Sequence, residues 1–342
     1  MKPSLLAKHL IASTLHSIGL LEWKLKRYAG KNFVILMYHR IVSPKDAGTH
    51  IQPGMYVQAE TFERHLQFLI NNFNIAPLSE VPLITRNKPG TARSKPFCFL
   101  TFDDGWKDFY DHAYPLLKAH QAPATVFLPT EFIGTNDCFW TDRLAYLFSS
   151  EGFNPLRKTN IFSDRPLIAK LLRLQGSPEK QLEAAINILK HYREDIINEV
   201  LMVLEENLNI TAIPAGRTFL TWDEVREMSK SGFISFGSHT ANHKILTTLS
   251  DEEIYLELNA AREKLIAEQV ADPSCIPFCY PNGNYNDKIA SMVKESGYAM
   301  ALTTKQGWNN KHSDPFQFRR IGIHQDIIST EPMYGCRICN IF

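Results

Sequence analysis

Phe97-Cys98-Phe99-Leu100-Thr101-Phe102-Asp103-Asp104-Gly105 is the stretch that decides the fold. The uncharged run from Phe97 to Phe102, apolar but for Thr101, predicts a strand buried on both faces. It ends abruptly in two carboxylates and a glycine. Upstream, Phe33-Val34-Ile35-Leu36-Met37-Tyr38 repeats the pattern and ends in His39-Arg40. Downstream come Ala124 to Leu128, Phe233 to Phe236, Cys275 to Tyr280, Tyr298 to Leu302 and Phe318 to Ile323. Three of these run into Gly237-Ser238-His239, Pro281-Asn282-Gly283 and His324. The intervening segments read as helices. Thr61 to Phe73 places Phe62, Leu66, Leu69 and Ile70 on one side, Tyr114 to Ala119 and Asp223 to Lys230 follow, Ser250 with Glu253 forms a capping box, and Asp287 to Ser296 comes last. Strands alternating with helices imply parallel βαβ units. Polar residues at the carboxyl ends of such strands are where a β/α barrel builds its site.

The rhythm breaks between about 139 and 215. That stretch is mostly helical, as in Gln181 to Lys190 and Ile196 to Leu208, and reads as a helical insertion into a barrel spanning 31–342. Residues 1–30 form an N-terminal amphipathic helix, with Leu5, Leu6, Leu10, Ile11, Leu15 and Ile18 at helical spacing and Lys24, Lys26 and Arg27 behind them. Two readings stay open for it: a helix packed on the domain's own surface, or an interfacial helix peripheral on the inner membrane face. Lys8-His9 interrupts the apolar run too early for a secretory signal, and Leu10 to Leu21 is too short to span a bilayer. The expected compartment is the cytoplasm.

Composition narrows the classes. The chain has 342 residues, 37 basic and 36 acidic, for a formal net charge of +1. A binder of nucleic acid by phosphate neutralisation carries a basic excess that is missing here. With 44% hydrophobic and 21% charged residues, neither wholesale disorder nor a polytopic membrane protein fits. Six cysteines in so long a chain are not a disulfide framework. Cys336-x-x-Cys339 has no second pair to complete a metal or redox site.

Adjacent side chains of a strand face opposite ways. Asp103 and Asp104 therefore serve one site only where the strand breaks, which Gly105 permits, and two charged neighbours want a nearby cation. The plain alternative is a solvated loop. His239 and His243 are four apart, which sets both imidazoles on one side of a helical turn, suited to one metal. The alternative is two unrelated surface histidines. Two histidines and a carboxylate leave coordination positions open, as a catalytic metal requires.

Thr101-Phe102-Asp103-Asp104-Gly105, Ser238-His239-Thr240-Ala241-Asn242-His243 and Phe278-Cys279-Tyr280-Pro281-Asn282-Gly283 together resemble the polysaccharide deacetylase family, also called NodB-homology or carbohydrate esterase family four. Leu220-Thr221-Trp222-Asp223-Glu224-Val225 and Ala122-Pro123-Ala124-Thr125-Val126-Phe127 look like that family too. Leu36-Met37-Tyr38-His39-Arg40-Ile41 is similar to the branch acting on extracellular poly-N-acetylglucosamine. The resemblance implies an α/β fold, a distorted (β/α)7 barrel, holding one divalent metal ion, Zn2+ first among the transition metals. It implies Asp103 as general base and Asp104, His239 and His243 as metal ligands. A divalent ion brings the pKa of a water it holds towards ~7, within reach of a carboxylate base. A backbone N–H near Tyr280 is the expected oxyanion donor.

The pattern departs from the family in places. The third motif lacks the Arg many members carry before Pro281, which leaves the group orienting the base unassigned. The late leucine-x-histidine motif is not clean, although Arg320-Ile321-Gly322-Ile323-His324 puts a histidine at a strand end. Expelling an amine needs an acid, and both His39 and His324 are candidates, His39 preferred. Trp140 for sugar stacking and Arg143 for hydroxyl contacts are further substrate-binding candidates, as is Tyr280. The expected activity is metal-dependent N-deacetylation of N-acetylhexosamine units in a glycan or lipid-linked sugar, with no nucleic-acid partner. A hydrolase of small linear amides and a catalytically inactive carbohydrate-binding barrel remain as alternatives.

Overall fold

Seven of the apolar runs become a closed ring of parallel strands, in a computed structural model that describes residues 3–47, 54–86, 95–149, 156, 164–208, 217–328 and 330–342. In chain order they are β1 (Asn32–Tyr38), β2 (Phe97–Phe102), β3 (Ala124–Leu128), β4 (Ile234–Ser238), β5 (Pro277–Cys279), β6 (Met300–Gln306) and β7 (Phe318–Gly322). Each pairs with the next, and β7 returns to β1 through Leu36 opposite Ile321 and Met37 opposite Gly322. The distortion is local. β4 and β5 share only Ser238 opposite Phe278, and the β6–β7 register slips between Phe318 and Arg320.

The strands are buried on both sides, as their lack of polar alternation demands. All six residues of β2 are buried. Phe33, Ile35, Phe97, Phe99, Phe127 and Leu302 form one cluster, while Val34, Leu36, Tyr38, Cys98, Leu100 and Phe102 join the layer that the helices cover. Alternation along β2 therefore carries Asp103 onto the same side as Phe97 and Phe99.

Beside the short helix Val81–Arg86, the described helices are α1 (Pro3–Ser17), α2 (Leu20–Tyr28), α3 (Ala59–Asn72), α4 (Tyr114–Ala119), α5 (Trp140–Ser149), α6 (Pro166–Leu172), α7 (Pro178–Leu189), α8 (Glu194–Leu208), α9 (Trp222–Lys230), α10 (Asp251–Ala267), α11 (Asp287–Glu295) and α12 (Glu331–Ile338). Both α9 and α10 open on capping boxes, Thr221 with Glu224 and Ser250 with Glu253. Where a single N-terminal helix was expected there are two, because Gly19 takes a left-handed φ of 72° between them. Helices α5 to α8 make up the described part of the insertion and enclose their own core of Leu144, Leu147, Leu171, Leu189, Leu201 and Leu204. Residues 150–155, 157–163 and 209–215 of the expected insertion lie outside the described residues. No helix among the described residues is long and apolar enough to cross a membrane. All six cysteines are free thiols, and Cys336 and Cys339 are core residues around α12.

Candidate active site

The carboxyl ends of the strands meet in a cleft of about 250 Å3. Its floor begins at the end of β2. The Asp103 N–H donates to the Tyr38 carbonyl at 3.0 Å, continuing the ladder by one residue. The chain then breaks sharply: Asp104 and Gly105 both take left-handed φ values, 77° and 65°. A β-carbon on Gly105 would lie 2.9 Å from Ile133 and Leu128, so the second of these positions has no room for a side chain. This double left-handed step lets neighbouring carboxylates reach one site.

Each carboxylate has its own partners. Asp103 is held by both prongs of Arg320, Nη1 to Oδ1 and Nη2 to Oδ2, each at 2.7 Å. Arg320 is itself fully buried, and also donates to the Thr303 carbonyl at 3.0 Å, to Thr101 at 3.2 Å and to the Cys279 sulfur at 2.9 Å. Asp104 faces the other way. Its Oδ1 lies 3.4 Å from His239 Nε2 and 3.2 Å from His243 Nε2, while its Oδ2 accepts from the Trp106 indole at 3.0 Å. His239 follows β4, its N–H on the Leu128 carbonyl, and its Nδ1 sits 2.8 Å from the Cys279 carbonyl. A carbonyl only accepts, so Nδ1 carries a proton, and Nε2 is the nitrogen left to face Asp104. The His243 ring stacks on Phe139, centroids 4.3 Å apart.

The two histidines do meet, but not across a helical turn. Thr240 and His243 have left-handed φ values of 65° and 56°, and the segment is an irregular loop. Glu257 of α10 ties it down by accepting from the Asn242 N–H and side-chain amide at 2.8 and 3.0 Å.

The donor set fits one divalent ion. One oxygen and two nitrogens, from Asp104, His239 and His243, lie within 4.8 Å of one another, and His239 has the outer hydrogen bond that orients a ligating imidazole. A second set, Asp103 with His239 and Cys279, is equally close but fits less well, since Arg320 already occupies both oxygens of Asp103 and the thiol.

The electrostatics separate the two carboxylates by partner. Burial pushes both up. Arg320 more than offsets this at Asp103 and holds it below its ordinary value, while His239 and His243 draw Asp104 well below. Burial lowers His39 from its usual value, with Asp104 and Asp103 opposing, so its resting form is neutral. Burial also raises the Asp142 carboxyl to about 7, and its Oδ2 is sealed from solvent without a hydrogen-bond partner.

His39, Trp140 and Tyr280 line the cleft with Asp103, Asp104, His239 and His243. The His39 Nε2 is 3.9 Å from Asp103 Oδ2. His324 and Arg143 are not among the lining residues. His324 pairs its Nδ1 with Asp326, and Arg143 makes a two-pronged bond to Glu205 of α8 at 2.9 and 2.8 Å plus one to Asn198. The Tyr280 N–H donates to the Leu302 carbonyl at 3.2 Å. Its hydroxyl donates to the Phe316 carbonyl, so the ring is fixed in place. Arg320 is the residue that motif reading missed. Of the two arginines in the run from Phe318 to Ile323, strand alternation turns Arg319 outward and Arg320 inward with Phe318, and that was the available signal.

A closed parallel barrel with a charged acid–imidazole cluster at its strand ends defines a β/α-barrel enzyme. The model of the polysaccharide deacetylase family matches residues 90–301, and the chain belongs to that family, whose enzymes act on acetylated carbohydrate. YxkH of Bacillus subtilis (strain 168), a polysaccharide deacetylase by description, is 22% identical over 291 residues, 84% of this chain and 70% of that protein. Among solved structures, the Streptococcus pyogenes deacetylase PplD in complex with acetate matches with a TM-score of 0.54 at 21% identity, covering 86% of this chain and 94% of PplD. IcaB from Ammonifex degensii matches with a TM-score of 0.56 at 15% identity, covering 91% and 98%. At these identities the structural neighbours show a shared fold.

Proposed function

We propose that the protein hydrolyses the N-acetyl group of N-acetylhexosamine units in a glycan or lipid-linked sugar, with Asp104, His239 and His243 holding one divalent metal ion, Zn2+ or another transition metal. The observation that carries the reading is the pairing of a clamped, charged carboxylate, Asp103, with a separate acid–imidazole set one residue away. When bound, the ion polarises the acetyl carbonyl and acidifies water. Asp103 accepts the proton of the attacking water, because Arg320 keeps it ionised and pointed. His39, neutral at rest and 3.9 Å from Asp103, takes that proton up and hands it to the departing amine. The hydroxyl of water goes to the acetyl carbon and its proton to nitrogen, which balances the hydrolysis. His39 is favoured over His324 because it lines the cleft. Trp140, half-buried at the cleft, gives a sugar a ring face to lie on, while Tyr280 is fully buried and serves as a wall of the cleft. Six free thiols support placement in the reducing cytoplasm.

Acetate release from a panel of N-acetylated oligosaccharides, with and without chelator, tests the reading. Release abolished by chelator and restored by a divalent ion is expected. Cleavage of a small linear amide with no release from any sugar would replace the glycan by that substrate class. Binding of sugars without turnover, metal restored, would make the barrel a binding module.

A further inference from the structure

The N-terminal helices carry an apolar face with no partner among the described residues. Helix α1 packs on α12 through the side bearing Leu5, Ala12 and Leu15, and Ala12 is fully buried. The remaining sides point outward. Leu10 is 64% exposed and Ile18 67%, and Leu6 and Ile11 are exposed beside them. Trp23 on α2 is 54% exposed. Leu6 with Leu10, and Ile11 with Ile18, recur at four and seven residues, so each pair forms a stripe along the helix. Two hydroxyls on the helix donate internally: Thr14 to the Leu10 carbonyl at 2.9 Å and Ser17 to the Ser13 carbonyl at 2.8 Å. Their protons therefore need no water.

Charge identifies the occupant. Residues 1–31 hold six basic side chains, Lys2, Lys8, Lys24, Lys26, Arg27 and Lys31, against the single acid Glu22, in a chain whose whole net charge is +1. Lys26, Arg27 and Lys31 are exposed, and Arg27 lies over the Trp23 ring at 4.9 Å. A second copy of this face would bring like charges together. An anionic bilayer accepts the apolar side chains and attracts the basic ones at the same time. We propose that α1 and α2 seat the protein on the surface of a membrane containing anionic phospholipid, with Leu6, Leu10, Ile11, Ile18 and Trp23 in the interfacial layer. None of these residues lines the catalytic cleft, so docking and turnover are separate properties.

Flotation of the full chain with phosphatidylcholine vesicles, with and without phosphatidylglycerol, tests this. Binding to the anionic vesicles is expected to be at least about tenfold stronger and to weaken with added salt. The double variant Leu10→Glu with Ile11→Glu should lose vesicle binding by roughly tenfold or more, with melting temperature and deacetylase activity on a soluble substrate unchanged. Lys26→Glu with Arg27→Glu should remove the preference for anionic lipid. Equal binding of Leu10→Glu/Ile11→Glu and the native chain, or absence of binding to either vesicle, overturns the proposal. A concentration-dependent dimer abolished by the same double variant overturns it in favour of a second copy.

Discussion

The barrel mouth and the helical insertion meet at one cleft but are built on opposite principles. At the mouth, polar side chains are buried and nearly all are paired: Arg320 on Asp103, Trp106 on Asp104, the Cys279 carbonyl on His239. The insertion instead buries leucine in a core of its own and lends the cleft a few residues from its first turn, among them Trp140 and Asp142. Asp142 is partly buried and its Oδ2 has no partner. Satisfied buried networks hold one geometry, as chemistry demands. Asp142 lines the cleft, and a substrate hydroxyl admitted beside it would supply the partner that its sealed oxygen lacks. The difference predicts that mouth variants act on turnover and insertion variants on binding.

The largest expected effect is at the metal set. His239→Ala or His243→Ala should strip the divalent ion and lower activity by several kcal/mol of transition-state stabilisation, on the order of 10³-fold. Elemental analysis alongside kinetics checks it. Full metal occupancy in either variant would sink the ligand assignment.

Next comes the clamp. Asp103→Asn should keep the metal and lose about 10²–10⁴-fold in activity, because an amide does not take the proton. If it strips the metal while Asp104→Asn retains it, the two roles are exchanged. Arg320→Met leaves a buried carboxylate unpaired, at a cost of roughly 3–5 kcal/mol in stability. Without Arg320, burial alone acts on Asp103 and raises it, so the acid limb of the pH–rate profile should move to higher pH. In the native protein Asp103 lies below its unfolded value, so the pair's stabilisation is present above about pH 4 and fades as pH falls through the lower folded value. Unfolding of both proteins across that range reads the difference.

The residues of this clamp mark where the sequence was legible. The strands, the capping boxes at Thr221 and Ser250, and the likeness carried by Asp103, Asp104, His239 and His243 all follow from local pattern and motif. Arg320 does not, because the third motif has Cys279 where an arginine was sought and the guanidinium arrives from β7, on the far side of β6. Only closure of the barrel brings β7 beside β1 and Arg320 onto Asp103. Backbone conformation was equally hidden. The left-handed turns at Asp104, Thr240 and His243 break the rule that non-glycine residues avoid positive φ, so helical spacing gave the wrong local picture of the histidine loop. Arg143 was a candidate for sugar hydroxyls, and its bonds go to Glu205 and Asn198, some sixty residues downstream, a pairing that no local pattern shows.

A smaller and more selective effect is expected at the proton donor. A phenolate leaves without protonation and an amine does not. His39→Ala should therefore depress cleavage of N-acetyl sugars by ~10²–10⁴-fold while largely sparing an aryl acetate. His324→Ala should show little such selectivity, since His324 pairs with Asp326 and does not line the cleft. A large selective loss with His324→Ala would reverse the assignment.

The smallest effect belongs to Asp142, and it tests the comparison most directly. Burial raises its carboxyl to about 7, so the native state holds a proton across pH ~4–7 that the unfolded chain has released. Where the native state binds more protons, stability falls as pH rises, so Asp142 costs stability above that window and none below it. Asp142→Asn removes the titration. It should match the native protein's thermal stability near pH 4 and exceed it at pH 8 by roughly 1 kcal/mol, once partial exposure is allowed for. Losing one substrate hydrogen bond of ordinary strength should raise KM about three- to tenfold, with kcat within about twofold, because the contact is made equally in ground and transition states. Thermal unfolding at the two pH values and steady-state kinetics on one N-acetylated oligosaccharide supply both readings. A fall in kcat at unchanged KM would place Asp142 in the chemistry, and the division between a catalytic mouth and a binding insertion would not survive it.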